Sequence, residues 1–238
     1  MEKKKVLVIS AHAVDFVWRC AGTIARYTRA GHQVKVICLT LGARGESDGV
    51  WRANPGITEV EVVERRRKEA IAAAEYLGAE IEIYGWEDHL LTIDKTGVMR
   101  LAAEMKDYQP DIILTHYVSD PLNADHDNAH RAVIEATRSA NVAGVFPEKP
   151  ELKRLNVYMF EPDQPDVCGF LPDTYIDISD VMEDKRKAME LVVSQNYIAP
   201  GYINRAEYRG FLAKRVSAYP VQYAEAFVRM MPYVGTKF

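Results

Sequence analysis

A chain of 238 residues, 48% hydrophobic and 27% charged, has the length and composition of an ordinary globule with one sizeable core. Its formal net charge of -4 excludes the basic footprint that nucleic acid or an anionic membrane surface demands. An anionic substrate must therefore be met by locally placed arginines. Three widely spaced cysteines, Cys20, Cys38 and Cys168, fit buried thiols of a reducing compartment better than a disulfide framework. The apolar run behind MEKKK is too short for a signal core, and no run approaches a membrane span, so the expected location is the cytoplasm.

In chain order, KVLVIS (5–10) is a short continuous apolar run of the kind that forms a parallel strand covered on both faces. Residues 15–31 have helical spacing and stop at Gly31. QVKVICLT (33–40) reads as a second strand, and the Gly-rich, polar stretch 41–56 as a long loop. A helix is predicted over 57–79, with a charged face in ERRRKE from which Arg66 or Glu69 could brace a site from below. Strands follow at 80–85, 111–116 and 156–162, and helices at 97–109, 125–140 and 181–195. Repeated strand–helix units imply an α/β fold with a Rossmann-like, doubly wound, mostly parallel sheet and helices on both faces. One domain over 1–238 is expected, with about 196–238 as a helical and loop extension.

In such a sheet the active site lies at the C-terminal ends of the strands, where the strand-to-helix loops gather. Those loops hold His12 and Asp15, then Arg44, Glu46 and Ser47, then Asp120, Asn123, Asp125 and His126, then Glu161 and Asp163. His12 and Asp15, three apart at a strand-to-helix turn, can converge on one point, and His126 is the best-placed third ligand for a catalytic zinc. Asp125 beside it could orient a ligand. Taken singly, each residue also has a plainer reading: His12 and Asp15 as helix caps, His126 as a solvated side chain. Among the other histidines, His116 suits a pocket position or a satisfied structural role equally, and His130 suits the surface of its helix. His89 and His32 read as surface residues. Trp51 either lines the pocket or anchors its loop.

The segments SAHAVDFVWRCAGTIA and DPLNADH resemble the opening and second motifs of the PIG-L/LmbE-like zinc deacetylase superfamily, and ERRRKEAIAAAEYLG and YIDISDVMEDKRKAMELVVSQ resemble its later units. The resemblance runs to about residue 195. It implies that fold, a zinc or other divalent ion, and the ligands His12, Asp15 and His126. It also exposes departures. The position of the deacetylases' general base is Val14 here, and the histidine opening their second motif is Asn123. A positioned base is worth roughly 10²–10⁴-fold, so Val14 speaks against amide hydrolysis.

The combination of SAHAVDFVWRCAG, GARGES, Val50-Trp51-Arg52, DPLNADH and YAEAF resembles the narrower 4-oxalomesaconate hydratase branch, whose members add water to an unsaturated oxo-polycarboxylate of aromatic-acid catabolism. That resemblance implies Glu46, Asp125 and Asp163 in catalysis, and Arg44, Asn123, Trp51 and Arg19 at the substrate, with Arg52 as a weaker candidate. The branch carries a histidine where this chain has Asp163, a departure that bears on the named substrate and not on the reaction class. The expected partner is a small anionic molecule, and the expected assembly a homo-oligomer. The alternatives are a zinc-dependent N-deacetylase of an N-acetylglucosamine-type substrate, in which Asp125 or Glu46 replaces the missing base, or a metal-binding relic without turnover.

Overall fold

Alternate side chains of KVLVIS part into two cores, as the pleat of a strand covered on both faces requires. This is β1 (Lys5–Ser10): Val6 and Val8 enter one apolar cluster, Leu7 and Ile9 the other. The computed structural model describes residues 2–152 and 156–234. After β1 come α1 (Asp15–Arg29), β2 (Gln33–Thr40), α2 (Asp48–Ala53), α3 (Glu59–Tyr76), β3 (Glu80–Trp86), α4 (Lys95–Tyr108), β4 (Ile112–His116) and α5 (Ala124–Ala140). The chain continues through β5 (Asn156–Phe160), β6 (Thr174–Asp177), α6 (Met182–Glu190), α7 (Ala199–Lys214) and β7 (Ala224–Arg229).

The strands make one seven-stranded sheet in the order β3-β2-β1-β4-β5-β7-β6. The first five of that order pair in parallel, whereas β7 pairs antiparallel with both β5 and β6. Side chains from α1, α3 and α6 pack in the cluster on one face, and those from α4 and α5 in the cluster on the other. The strand order reverses between β1 and β4, and at such a reversal the loops splay apart and leave a crevice at the carboxyl ends. His12 follows β1 and His126 opens the helix after β4, so the two flank that crevice.

Three elements differ from the sequence reading. Residues 41–56 are not loop throughout, because Val50 and Trp51 pack on Ala43 and Val62 and draw 48–53 into the short helix α2. The helix expected over 181–195 ends at Glu190; the β-branched pair Val192-Val193 leads into 3-10 turns over Val193–Ile198, broken at Gln195 (φ -129°, ψ 16°). The segment beyond 195, expected to be a helical and loop extension, contributes β7, which lies inside the sheet between β5 and β6.

Candidate active site

The β1–α1 turn and the start of α5 bring His12, Asp15 and His126 together, all buried, with one ligand-type atom from each lying within 4.8 Å of the others. Asp15 opens α1, and its Oδ2 accepts the backbone N–H of His12 at 2.7 Å, which locks the turn. Asp15 Oδ2 lies 3.4 Å from His12 Nδ1, and Oδ1 lies 3.6 Å from His126 Nε2. Those two ring nitrogens have no hydrogen-bond partner although both are buried. The opposite ring nitrogens are occupied: His12 Nε2 lies 3.2 Å from Asp125 Oδ2, and His126 Nδ1 lies 2.9 Å from Asp120 Oδ2. A carboxylate behind each ring fixes the N–H on the far side and turns a lone pair inward, which is how metal-binding histidines are oriented.

The electrostatics agree. Burial alone would depress His12, but Glu46, Asp15 and Asp125 outweigh it and lift the ring to about 10. Burial opposes charge on Asp15 too, yet His126 and His12 hold its carboxyl well below the usual range. Three carboxylates, Asp15, Glu46 and Asp125, lie within 3.8 Å of the His12 ring nitrogens, a surplus of negative charge that a divalent cation would offset. Two inward imidazole nitrogens and one carboxylate are a donor set suited to a catalytic metal. His12, Asp15 and His126 could therefore hold a metal ion.

His116 packs against this centre without joining it. Its ring stacks on His126 with centroids 4.1 Å apart, and its Nε2 accepts the N–H of Ala11 at 2.9 Å. Burial and then the neighbouring His126 push it down to about 3, so it is a neutral acceptor. His130 contacts the backbone carbonyl of His116, and His32 accepts the N–H of Lys4.

Glu46 reaches the centre from the 41–47 loop, its Oε1 lying 3.8 Å from His12 Nδ1. The loop is tied down by three side chains: Ser47 Oγ donates to the Gly42 carbonyl at 2.7 Å, Trp51 Nε1 donates to the Ala43 carbonyl at 2.7 Å, and Asp88 accepts the N–H groups of Ala43, Arg44 and Gly45. Gly42 turns with φ +63°, and a Cβ there would meet the Cβ of Glu46 at 2.8 Å, so glycine is required. Asn123 caps α5 and donates from Nδ2 to Glu46 Oε1 at 2.6 Å.

Several expected substrate contacts fall elsewhere. Arg44 turns outward, half-exposed, and pairs with Glu59, while Arg52 pairs with Asp48 on the surface at 2.7 Å. Trp51 anchors its loop through Ala43. Arg19 does face the centre, but it is enclosed by acceptors: the Glu161 carbonyl at 2.6 Å, Asp163 Oδ1 at 3.1 Å and Asp120 Oδ2 at 3.6 Å. Asp163 also accepts from the Tyr202 hydroxyl at 2.7 Å. Against the cost of burial, Arg19 and His126 keep it ionised below the usual carboxyl range. The carboxylate of Asp125 is likewise engaged, taking His12 and the backbone N–H groups of His89, Leu90 and Leu91. Val14 is fully buried in the apolar cluster beside α1.

Sequence reasoning gave no role to Asp120, which sits behind His126, or to Gln195, which donates to Glu46 Oε2 at 3.0 Å. Asp120 could have been found as the acidic partner that any ligand histidine needs. Gln195, in a 3-10 turn far along the chain, gives no such signal.

The sequence profile of the GlcNAc-PI de-N-acetylase (PIG-L) family matches residues 7–137, more than half of the chain. The chain belongs to the PIG-L family. This PIG-L protein is 39% identical to a 4-oxalmesaconate hydratase of Pseudomonas putida over 236 residues, 98% of this chain and 91% of that protein. Its fold superimposes on the crystal structure of GalB, the 4-carboxy-2-hydroxymuconate hydratase of P. putida KT2440, with a TM-score of 0.95 and 38% identity, covering 99% of each chain. A diacetylchitobiose deacetylase of Thermococcus kodakarensis is 28% identical over 198 residues, 81% of this chain and 70% of that protein. Among the described residues no helix is long and apolar enough to cross a membrane.

Proposed function

We propose that this PIG-L protein is a metal-dependent hydro-lyase that adds water across the carbon–carbon double bond of 4-oxalomesaconate or a closely related unsaturated oxo-polycarboxylate. The near full-length similarity to the P. putida hydratase carries the reading. The buried Val14 supports it, because an amide hydrolase of this family would need an acid–base group there and a valine supplies none. The N-deacetylase alternative is disfavoured on the same ground.

The donor set of His12, Asp15 and His126 suits zinc. When bound, the ion supplies a Lewis acid for the oxo and carboxylate oxygens of the substrate. Asp125 and Asp120 hold the two imidazoles in the tautomer that this requires. Glu46 moves the proton at carbon. Asp163, kept ionised by Arg19, is suited to accept a proton and not to donate one at neutral pH. Arg19 and Asn123 fix the two carboxylates, and Arg44 and Trp51 set the loop that carries Glu46. The reading includes a cytoplasmic location, which three free thiols suit, and a homo-oligomer in which the exposed Tyr208, Phe211 and Val216 near the end of α7 are covered.

The direct test is to incubate the metal-loaded protein with 4-oxalomesaconate and follow loss of the conjugated chromophore, with Glu46→Ala in parallel. Rapid loss in the wild type, abolished in the variant, is expected. No loss in the wild type would overturn the substrate assignment, and activity in Glu46→Ala would overturn the role of Glu46.

A further inference from the structure

Glu46 sits on a glycine-rich loop, yet both its carboxylate oxygens are held by side-chain amides from other elements. Oε1 accepts from Asn123 Nδ2 and Oε2 from Gln195 Nε2. The orientation of each amide follows from groups that can act in one way only. Asn123 Oδ1 accepts the backbone N–H of Asp125 at 3.2 Å, which leaves its NH₂ for Glu46. Gln195 Oε1 faces two obligate donors, Arg66 Nη1 at 2.9 Å and the indole Nε1 of Trp18 at 3.4 Å. Its NH₂ must therefore point at Glu46.

Behind Gln195 the bracing continues. Arg66 lies wholly buried in α3, donating from Nη1 to Ser194 Oγ at 2.9 Å and from Nε to the carbonyl of Leu41 at 3.2 Å. Leu41 begins the loop that carries Glu46, so one guanidinium steadies both the base of that loop and the amide that grips its tip. Glu69 fixes Ser194 in turn, accepting its backbone N–H at 2.9 Å and its hydroxyl. Two buried charges, a serine and a glutamine are thus arranged in series, and the series ends on one oxygen of Glu46.

We propose that Gln195, backed by Arg66, is a positioning residue for Glu46 that keeps its carboxylate aimed at the proton it moves; this rests on the acid–base role assigned to Glu46. Misplacing a reacting group by about 1 Å costs on the order of 10²-fold in rate, and a glutamate on a glycine-rich loop has that freedom once a lateral bond is lost.

The informative variant is Gln195→Glu. It keeps the shape and gives Arg66 a carboxylate to pair with, but it replaces the donor facing Glu46 by an oxygen. With 4-oxalomesaconate and metal-loaded protein, kcat is expected to fall about ten- to a hundredfold. KM, metal content and melting temperature are expected to stay near wild type. In a Glu46→Gln background the same change is expected to cost nothing further. Wild-type kcat in Gln195→Glu, or losses that multiply in the double variant, would overturn the proposal. A second readout needs no turnover: the side-chain amide resonance of Gln195 in ¹⁵N-labelled protein, assigned by its loss in Gln195→Glu, is expected to move in Glu46→Gln. An unmoved resonance overturns the contact whether or not the substrate is right. If Glu46→Gln keeps wild-type kcat while the resonance moves, the acid–base role of Glu46 fails and the positioning role falls with it. If the wild type turns over nothing, only the substrate assignment fails and the amide readout decides for Gln195.

Discussion

The Nε2 atom of His12 lies 3.2 Å from Oδ2 of Asp125, and the same carboxylate accepts the backbone N–H groups of His89, Leu90 and Leu91 at 2.8–3.0 Å. Two of these residues, His89 (φ +61°) and Leu90 (φ +74°), adopt left-handed backbone that their side chains disfavour. A single carboxylate therefore orients a candidate metal ligand and holds a strained loop. Asp125→Ala is expected to weaken metal affinity about 10- to 100-fold and to open the 88–91 segment to proteolysis. Calorimetric metal titration alongside limited trypsin-free digestion with a broad-specificity protease checks both; a loop as resistant as wild type would separate the two roles.

The same carboxylate predicts an acid dependence. Burial opposes its charge, but the bonds from His12 and the loop N–H groups hold it down to about 2, against an ordinary value of 3.8. A group depressed in the folded state stabilises above its unfolded value and loses that contribution as pH falls through its folded one. Wild type should thus lose stability between about pH 4 and pH 2 more steeply than Asp125→Asn, which has no charge to lose. Urea melts across that range measure the difference in slope, and parallel curves would refute it.

Metal removal gives a third test. Purified protein is expected to carry one divalent ion per chain, which His12→Ala loses, and chelation should lower the melting temperature of wild type but not of the variant. Elemental analysis without a stoichiometric ion would end the metal reading.

Gly42→Ala should damage Glu46 while sparing the metal. The added methyl meets the Cβ of Glu46 at 2.8 Å on backbone that already disfavours a side chain. Turnover is expected to fall at least tenfold with metal content unchanged, an outcome read by steady-state kinetics and elemental analysis together.

Beneath the site, Glu225 accepts the N–H groups of Gly22 and Thr23, the hydroxyl of Thr23, and Lys185 Nζ at 2.5 Å, all buried. The two N–H groups are free because α1 breaks at Cys20 (φ -145°, ψ 19°). Glu225→Ala would strand the Lys185 charge and should cost about 3–5 kcal/mol. Denaturant melts check it; a loss under 1 kcal/mol would show that water replaces the carboxylate easily.

The parallel half of the fold was legible because its central strands β1 and β4 are apolar on both faces, and β1 and β2 begin and end where the sequence places them. β7 was not, because AEAFVR has no helix after it and its pairing with β5 and β6 joins segments far apart in the chain. The clustering of His12, Asp15 and His126 could be read because side chains at the C-terminal ends of neighbouring parallel strands converge. The partners of the arginines were not legible: the sequence does not reveal that Glu59 pairs with Arg44 while Asp163 and Asp120 pair with Arg19. Gln195 escaped notice because a neutral amide becomes specific only through the donors that fix its orientation.

The contact between Glu225 and α1 also bears on how the protein is made. Helix α1 contains a break whose amides find their partner about 200 residues later in the chain, on β7. Contacts of such sequence separation form late, because the chain must close a long loop before it gains anything from them. A nascent chain stalled before residue 225 would lack the carboxylate that holds Gly22, Thr23 and Lys185, so α1 should not be fixed against α6 until β7 has been made.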